Sequence, residues 1–236
     1  MTSPVVIAVR AELRKNRDKR TRESAQRFFK EEVKFYGVKS ALVRKIARAY
    51  FNKIKNLDKK EIFALCEELF AADYSEEAFI AAEWAFRLKQ QYAPEDFQVF
   101  AGWVKKYVNN WAKCDTFCNH AVGALVEKYP VLLPGLKVWA KSDNRWVKRA
   151  AAVSLILPAR RGKFLKEVFA IADILLEDPD DLVQKGYGWL LKEASRQHQQ
   201  EVFAYLMKYK KTIPRTAFRY ALEKISPQLR SQAMTK

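Results

Sequence analysis

The sequence predicts an all-α protein, a right-handed α-solenoid of two-helix repeats with a concave basic groove. Three observations predict it. Apolar residues recur at helical spacing along almost the whole chain. Hairpin signals are missing: Asn-Gly and Asp-Gly do not occur, and alternating apolar runs are short. The breaks between the periodic stretches themselves recur every 35–36 positions.

The elements follow in chain order. The opening stretch MTSPVVIAVRAELRKNR is amphipathic and lacks the charged start, apolar core and cleavage site of a secretory signal. Asp58 before Glu61, and Ser75 with Glu76 and Glu77, read as helix starts with acids in the first turn. Phe63, Cys66, Leu69 and Phe70 form one apolar stripe, and Phe79, Ala82, Phe86 and Leu88 form much of another. Phe97, Phe100, Val104 and Tyr107 continue the pattern. Pro94, Pro130, Pro134 and Pro179 fall between periodic stretches, where a ring that removes an N–H is tolerated. About twelve helices joined by short turns are expected.

The period is visible in pairs. Pro94 and Pro130, and Trp103 and Trp139, are 36 apart; Trp111 and Trp146 are 35 apart. Asn144-Arg145-Trp146-Val147-Lys148-Arg149 aligns with Asp180-Asp181-Leu182-Val183-Gln184-Lys185 at a shift of 36. A repeat of this length resembles the HEAT and armadillo type, whose units cannot bury their faces alone and so stack. The expected organisation is one helical-repeat domain over residues 1–236. Trp84, Trp103, Trp139 and Trp146 are expected in the repeat cores.

Composition narrows the function. The 236 residues are 49% hydrophobic, and 7 Gly and 8 Pro leave little room for long disordered linkers. Lys and Arg number 44 against 27 Asp and Glu, and the pI is about 9.8, which predicts attraction to a polyanion. No apolar run is long enough to span a membrane. Three cysteines, Cys66, Cys114 and Cys118, suit reduced thiols in an intracellular protein, cytoplasmic or nucleoid-associated. Cys114, Cys118 and His120 offer three metal ligands with no fourth nearby, so no metal and no cofactor is expected. Gly186-Tyr187-Gly188 reads as close helix packing, because no strand precedes it. His198 is expected on the surface.

Lys113, Lys148, Arg149 and Lys185 take equivalent or adjacent places in successive repeats. On helices stacked about 8–10 Å apart they would form a ladder of positive charge facing a phosphate backbone. Two further basic blocks are Arg14, Lys15, Arg17, Lys19, Arg20, Arg22 and Arg44, Lys45, Arg48, Lys53, Lys55. No zinc finger, recognition helix or RNA-binding signature is present, so contacts to the backbone without base reading are expected.

Against this basic background Trp111 and Asp115 stand out. They lie four residues apart on one helix face. An acid beside an indole in a basic groove points to a cationic target, or to a cation formed during chemistry. Arg149 and Trp189 fall near the same repeat positions, so the four residues are expected to converge on one spot of the inner curve. Each has a plainer reading taken alone: a core aromatic for Trp111, a capping or paired acid for Asp115.

The runs Asn110-Trp111-Ala112-Lys113-Cys114-Asp115, Ser142-Asp143-Asn144-Arg145-Trp146-Val147-Lys148-Arg149-Ala150-Ala151 and Gln184-Lys185-Gly186-Tyr187-Gly188-Trp189 resemble the AlkD family of DNA alkylation-repair glycosylases. Arg27-Phe28-Phe29-Lys30 and Tyr36-Gly37 extend the resemblance to the N-terminus. It implies a HEAT-like solenoid that cradles double-stranded DNA and removes N3- and N7-alkylated purines, leaving the lesion in the stack. It also implies that Trp111, Asp115 and Trp189 contact the lesion's deoxyribose and that Arg149 supports the backbone. Phe28, Lys30, Lys113, Lys148 and Lys185 are the further expected DNA contacts. Two departures are visible: Phe28 stands where the family often has Tyr, and Asn110 where some relatives have a second Trp.

The chemistry agrees with the residues. An N3- or N7-alkylpurine is a cationic, pre-activated leaving group, and cleavage builds positive charge on the sugar. Asp115 as a carboxylate stabilises that sugar, Trp111 and Trp189 hold it through their ring faces, and Arg149 fixes a phosphate. The expected activity is that of a monomeric, monofunctional alkylpurine DNA glycosylase. The alternatives are a non-catalytic binder of distorted or branched DNA and, more remotely, a protein-interaction scaffold.

Overall fold

The computed structural model describes residues 2–235. It is all-α, with no strand among the described residues, and its helices cluster into two compact units, 1–117 and 118–236.

The first unit holds α1 (Pro4–Lys15), α2 (Lys19–Gln26), α3 (Ser40–Ile54), α4 (Lys59–Ala71), α5 (Ser75–Arg87), α6 (Asp96–Tyr107) and α7 (Trp111–Phe117). Helix α3 packs on α5 and α5 on α7, while α4 packs on α5 and on α6. That is the alternating stacking of an α-solenoid. The amphipathic start buries Val6, Val9 and Leu13 of α1. The stripe Phe63, Cys66, Leu69 and Phe70 is buried as expected, and Phe70 and Phe63 meet Trp103 at 5.4 and 5.3 Å between ring centroids. Burying each such side chain contributes about 1.5–3 kcal/mol.

The second unit holds α8 (Gly123–Lys128), α9 (Leu133–Ala140), α10 (Arg145–Val153), α11 (Ile156–Arg160), α12 (Leu165–Ile174), α13 (Asp181–Ala194), α14 (Gln199–Lys208), α15 (Arg215–Ala221) and α16 (Pro227–Met234). Here α10, α13 and α15 pack in succession, with α9 on α12 and α12 on α13. Trp84, Trp103, Trp139 and Trp146 are all buried, as the repeat predicts.

Asp58 and Glu61 form a full capping box, each side chain accepting from the other's backbone N–H. Ser75 differs from its expected role. Tyr74 occupies the cap position, and Ser75 is the first helical residue, fully buried. Glu76 and Glu77 are buried too and reach across to another segment. Glu76 accepts from the backbone N–H groups of Tyr36, Gly37 and Val38, and Glu77 accepts from the Tyr36 hydroxyl and the Arg10 guanidinium. The acids that look like first-turn decoration therefore hold the segment before α3. The helical segments are also shorter and more numerous than a dozen, because helices break internally: α10 gives way to α11 around Ser154, and a π turn at Cys118–Val122 precedes α8.

Candidate active site and nucleic-acid interface

Three helices at corresponding places in the sequence repeat, α7, α10 and α13, start on a side-chain cap of the same kind. Asn110 Oδ1 accepts from the Lys113 N–H at 3.0 Å, Asn144 Oδ1 from the Trp146 N–H at 2.8 Å, and Asp180 Oδ1 from the Leu182 and Val183 N–H groups at 2.8 and 3.1 Å. Each cap satisfies donors that the helix leaves open. The departure at Asn110 thus has a structural use: it is 1% exposed and starts α7.

Helix α7 carries Trp111 and Asp115. The Trp111 ring stacks on Phe29, with centroids 4.9 Å apart and planes 14° apart, and its indole N–H points at the Phe28 carbonyl oxygen at 3.4 Å. Phe29 in turn lies 5.6 Å from Phe35. Asp115 sits one turn further along the same side of α7, half-buried. Phe28 projects with 72% of its surface exposed, and Lys30 beside it is exposed. The hydroxyl lost at position 28 has no bearing on the Trp111 contact, which uses the main chain. Phe29 is the residue that sequence reasoning missed: it lay within the quoted Arg27–Lys30 run, but nothing in its spacing shows that it backs Trp111.

Lys113 lies on the other side of α7. It is 1% exposed, and its ammonium donates to Asp73 Oδ1 at 2.6 Å, to the Asp73 carbonyl at 3.0 Å and to Asn109 Oδ1 at 2.9 Å. Asp73 also accepts from Asn109 Nδ2 at 2.6 Å and pairs with Lys34 at 3.3 Å. It does so from a left-handed backbone, φ 66°, just past the end of α4. Burial pushes the Lys113 ammonium below its usual pKa. For Asp73 burial acts upward, but the bonds from Lys113 and Asn109, the charge of Lys113 and the bond from Lys34 outweigh it, and the carboxyl sits below the ordinary carboxylate range.

In the second unit, Arg149 is 5% exposed, runs alongside Gly186 and donates from Nη1 to the Leu182 carbonyl. A Cβ at Gly186 would stand 3.3 Å from Arg149 Cγ, and one at Gly188 would stand 2.8 Å from the Ala217 carbonyl oxygen. Both glycines therefore serve helix packing, as the sequence suggests. Trp189 follows on α13, half-buried. The four expected site residues thus fall as two pairs, Trp111 with Asp115 in one unit and Arg149 with Trp189 in the other.

Each lysine of the expected ladder is engaged with an acid: Lys113 with Asp73, Lys148 with Asp178, Lys185 with Asp181 at 2.7 Å. Arg44, Lys45 and Arg48 on α3 are exposed and meet no carboxylate within ion-pair distance among the described residues. The same holds for Arg14, Lys15, Arg17, Arg20 and Arg22. The charge is distributed unevenly along the chain. Residues 1–55 hold 16 Lys and Arg against 5 Asp and Glu, residues 199–236 hold 8 against 2, and residues 56–198 hold 20 of each.

Cys66, Cys114 and Cys118 are buried thiols, and burial raises the Cys66 pKa. His198 is less exposed than expected, with its Nε2 3.0 Å from the Gly162 carbonyl oxygen. No described helix is long and apolar enough to cross a membrane.

Residues 9–225 match a family described as DNA alkylation repair enzyme. Among solved structures, a predicted DNA alkylation repair enzyme from Enterococcus faecalis superposes with a TM-score of 0.79 at 17% identity, over 90% of this chain and 98% of that one. A Streptococcus mutans UA159 protein superposes with a TM-score of 0.59 at 23% identity, over 79% of this chain and 98% of that one. Both likenesses speak to the fold alone. No curated protein matches the chain. With the family matched over nearly the full length, the chain belongs to the DNA alkylation repair enzymes.

Proposed function

We propose that the protein hydrolyses the N-glycosidic bond of cationic alkylpurines, N3-alkyladenine and N7-alkylguanine, in double-stranded DNA. The supporting observation is the fixed pairing on α7. Trp111 is clamped between the Phe29 ring and the Phe28 carbonyl, with Asp115 one turn away on the same side. A clamped ring with a carboxylate one turn along the same helix side suits a positively charged sugar, whose developing charge the carboxylate would stabilise.

In this reading the alkylated base leaves as a neutral purine, taking the electron pair of the C1′–N bond. The deoxyribose becomes oxocarbenium-like, Asp115 stabilises it and orients the water that attacks C1′, and the Trp111 face holds the ring. Trp189, in the second unit, is a further aromatic contact proposed to the DNA. Arg149 supports the backbone through the α10–α13 packing that holds it. Phe28 and Lys30 contact the strand beside Trp111, and Lys148 and Lys185 lend partial charge to it. Lys113, buried on Asp73, acts by fixing α7. The leaving group is already cationic, so no general acid is required.

The test is chromatography of bases released from methylated duplex DNA. Wild type is expected to free 7-methylguanine or 3-methyladenine. Asp115→Asn is expected to lower the rate about 100-fold or more, the scale of losing one transition-state electrostatic contact, while duplex binding persists. Equal absence of release from both proteins, with binding retained, would establish the non-catalytic DNA binder instead.

A further inference from the structure

At the C-terminal end of the second unit lies a cavity of about 270 Å³. Its lining holds Lys210, Arg215 and Arg219 and, among the described residues, no carboxylate, over a floor of the buried Ile213, Phe218 and Ala233. Arg215 and Arg219 are four residues apart on α15, so their guanidinium groups share one side of the helix. Both are exposed, and neither meets an acid within ion-pair distance among the described residues. The Lys210 ammonium donates to the Thr235 carbonyl at 2.6 Å, which anchors it at the rim with further donors to spare.

This arrangement contrasts with the ladder lysines, each of which has an acid on it. An ion-paired lysine is already partly neutralised, whereas two unpaired guanidinium groups on an apolar floor retain their charge and fork-shaped donors. Arg215 and Arg219 also belong to the stretch that carries part of the whole-chain excess, 8 Lys and Arg against 2 acids over residues 199–236. The position of α15 matters as well. Its backbone approaches α13 at Gly188, the neighbour of Trp189, so the cavity belongs to the helix next to the one bearing that indole.

We infer that this cavity seats a backbone phosphate of double-stranded DNA, with Arg215 and Arg219 gripping the phosphate and the apolar floor meeting the adjoining sugar. The inference rests on the duplex-binding reading above and adds to it a contact that none of the expected site residues makes. Lys210 contributes charge at the rim.

The experiment measures duplex affinity against NaCl concentration for wild type and for the double variant Arg215→Ala with Arg219→Ala, using unmodified duplex so that chemistry does not intervene. Circular dichroism checks that both proteins are equally helical. The slope of log affinity against log salt is expected to flatten by about 0.9 if the two arginines share one phosphate, and by about twice that if each holds its own. The double lysine variant is expected to keep the wild-type slope. An unchanged slope in the alanine variant overturns the proposal while leaving duplex binding intact. A wild-type protein without salt-dependent duplex binding overturns the duplex reading and this seat with it. Calorimetric titration with inorganic phosphate separates the remaining source. Saturable phosphate binding lost in the variant, with the duplex slope unchanged, assigns the cavity to a free phosphate ester and overturns the DNA contact.

Discussion

Lys113 Nζ lies 2.6 Å from Asp73 Oδ1, and this pair fastens the first turn of the Trp111 helix to the left-handed end of α4. The two partners are unequal: the lysine side chain is 1% exposed, the aspartate 36%. Removing the acid strands a buried charge, so Asp73→Ala is expected to cost about 2–3 kcal/mol in urea unfolding, below the full range for a wholly buried pair because Asp73 reaches solvent. Lys113→Met is expected to cost less, since Asp73 keeps Lys34 and Asn109.

The same carboxyl gives a pH dependence. Its folded pKa lies below the unfolded value, so its stabilisation is present above the unfolded carboxylate pKa of about 3.9 and is lost as pH falls through the folded one. The stability difference between wild type and Asp73→Asn is expected to stay constant from neutral pH down to about 5 and to shrink below about 4. Denaturant midpoints across that range measure it. A difference that grows toward acid would contradict the assignment.

Phe29 tests whether the clamp on Trp111 matters to chemistry. Phe29→Ala removes a stacked pair, worth about 0.5–1.5 kcal/mol beyond area burial. Single-turnover base release is expected to slow while the salt slope of duplex binding stays that of wild type. Phe29→Tyr, which keeps the ring, is expected to retain most of the rate.

The two glycines of α13 are expected to differ. An alanine at Gly188 would place Cβ 2.8 Å from the Ala217 carbonyl oxygen and 2.9 Å from Tyr220 Cβ, against backbone that cannot easily yield. At Gly186 the nearest atom is Arg149 Cγ at 3.3 Å, on a flexible side chain. Gly188→Ala is expected to lower stability by about 1–3 kcal/mol through overpacking, and Gly186→Ala by under about 1 kcal/mol. Thermal unfolding distinguishes them.

Gly37 has φ 89°, and a Cβ there would fall 2.3 Å from the Asp18 carbonyl oxygen. Gly37→Ala is expected to destabilise by at least about 1 kcal/mol, from the left-handed backbone alone, and to loosen the segment that presents Phe28 and Phe29. Faster proteolysis between α2 and α3 would report it.

Much of the fold is legible because its causes are local. Helical periodicity, the capping box at Asp58 and Glu61, and the 36-residue shift between Asn144 and Asp180 are each written within a few turns of chain. Trp111 and Asp115 are legible as a pair for the same reason, being one turn apart. What escaped depends on distant partners. Glu76 and Glu77 resemble any acidic first turn until Tyr36 and Arg10 are brought to them. Asp73 resembles a loop residue until three groups converge on it. The lysine ladder follows from sequence register, yet register does not tell which carboxylate waits beside each ammonium. Phe29 shows the same limit, since stacking across a separation of 82 residues leaves no periodic trace.

The even balance of 20 cations and 20 anions across residues 56–198 has an electrostatic consequence. Trp111, Asp115, Arg149 and Trp189 all belong to that stretch, while the surplus positive charge resides in the chain's two ends. A uniformly basic protein would push away a nucleobase that carries its own plus sign. On the proposed activity, adhesion to the polyanion and tolerance of a cationic lesion fall to different parts of one polypeptide, and ionic strength is expected to govern residence on DNA far more than the rate of bond breaking once the damaged nucleotide is in place.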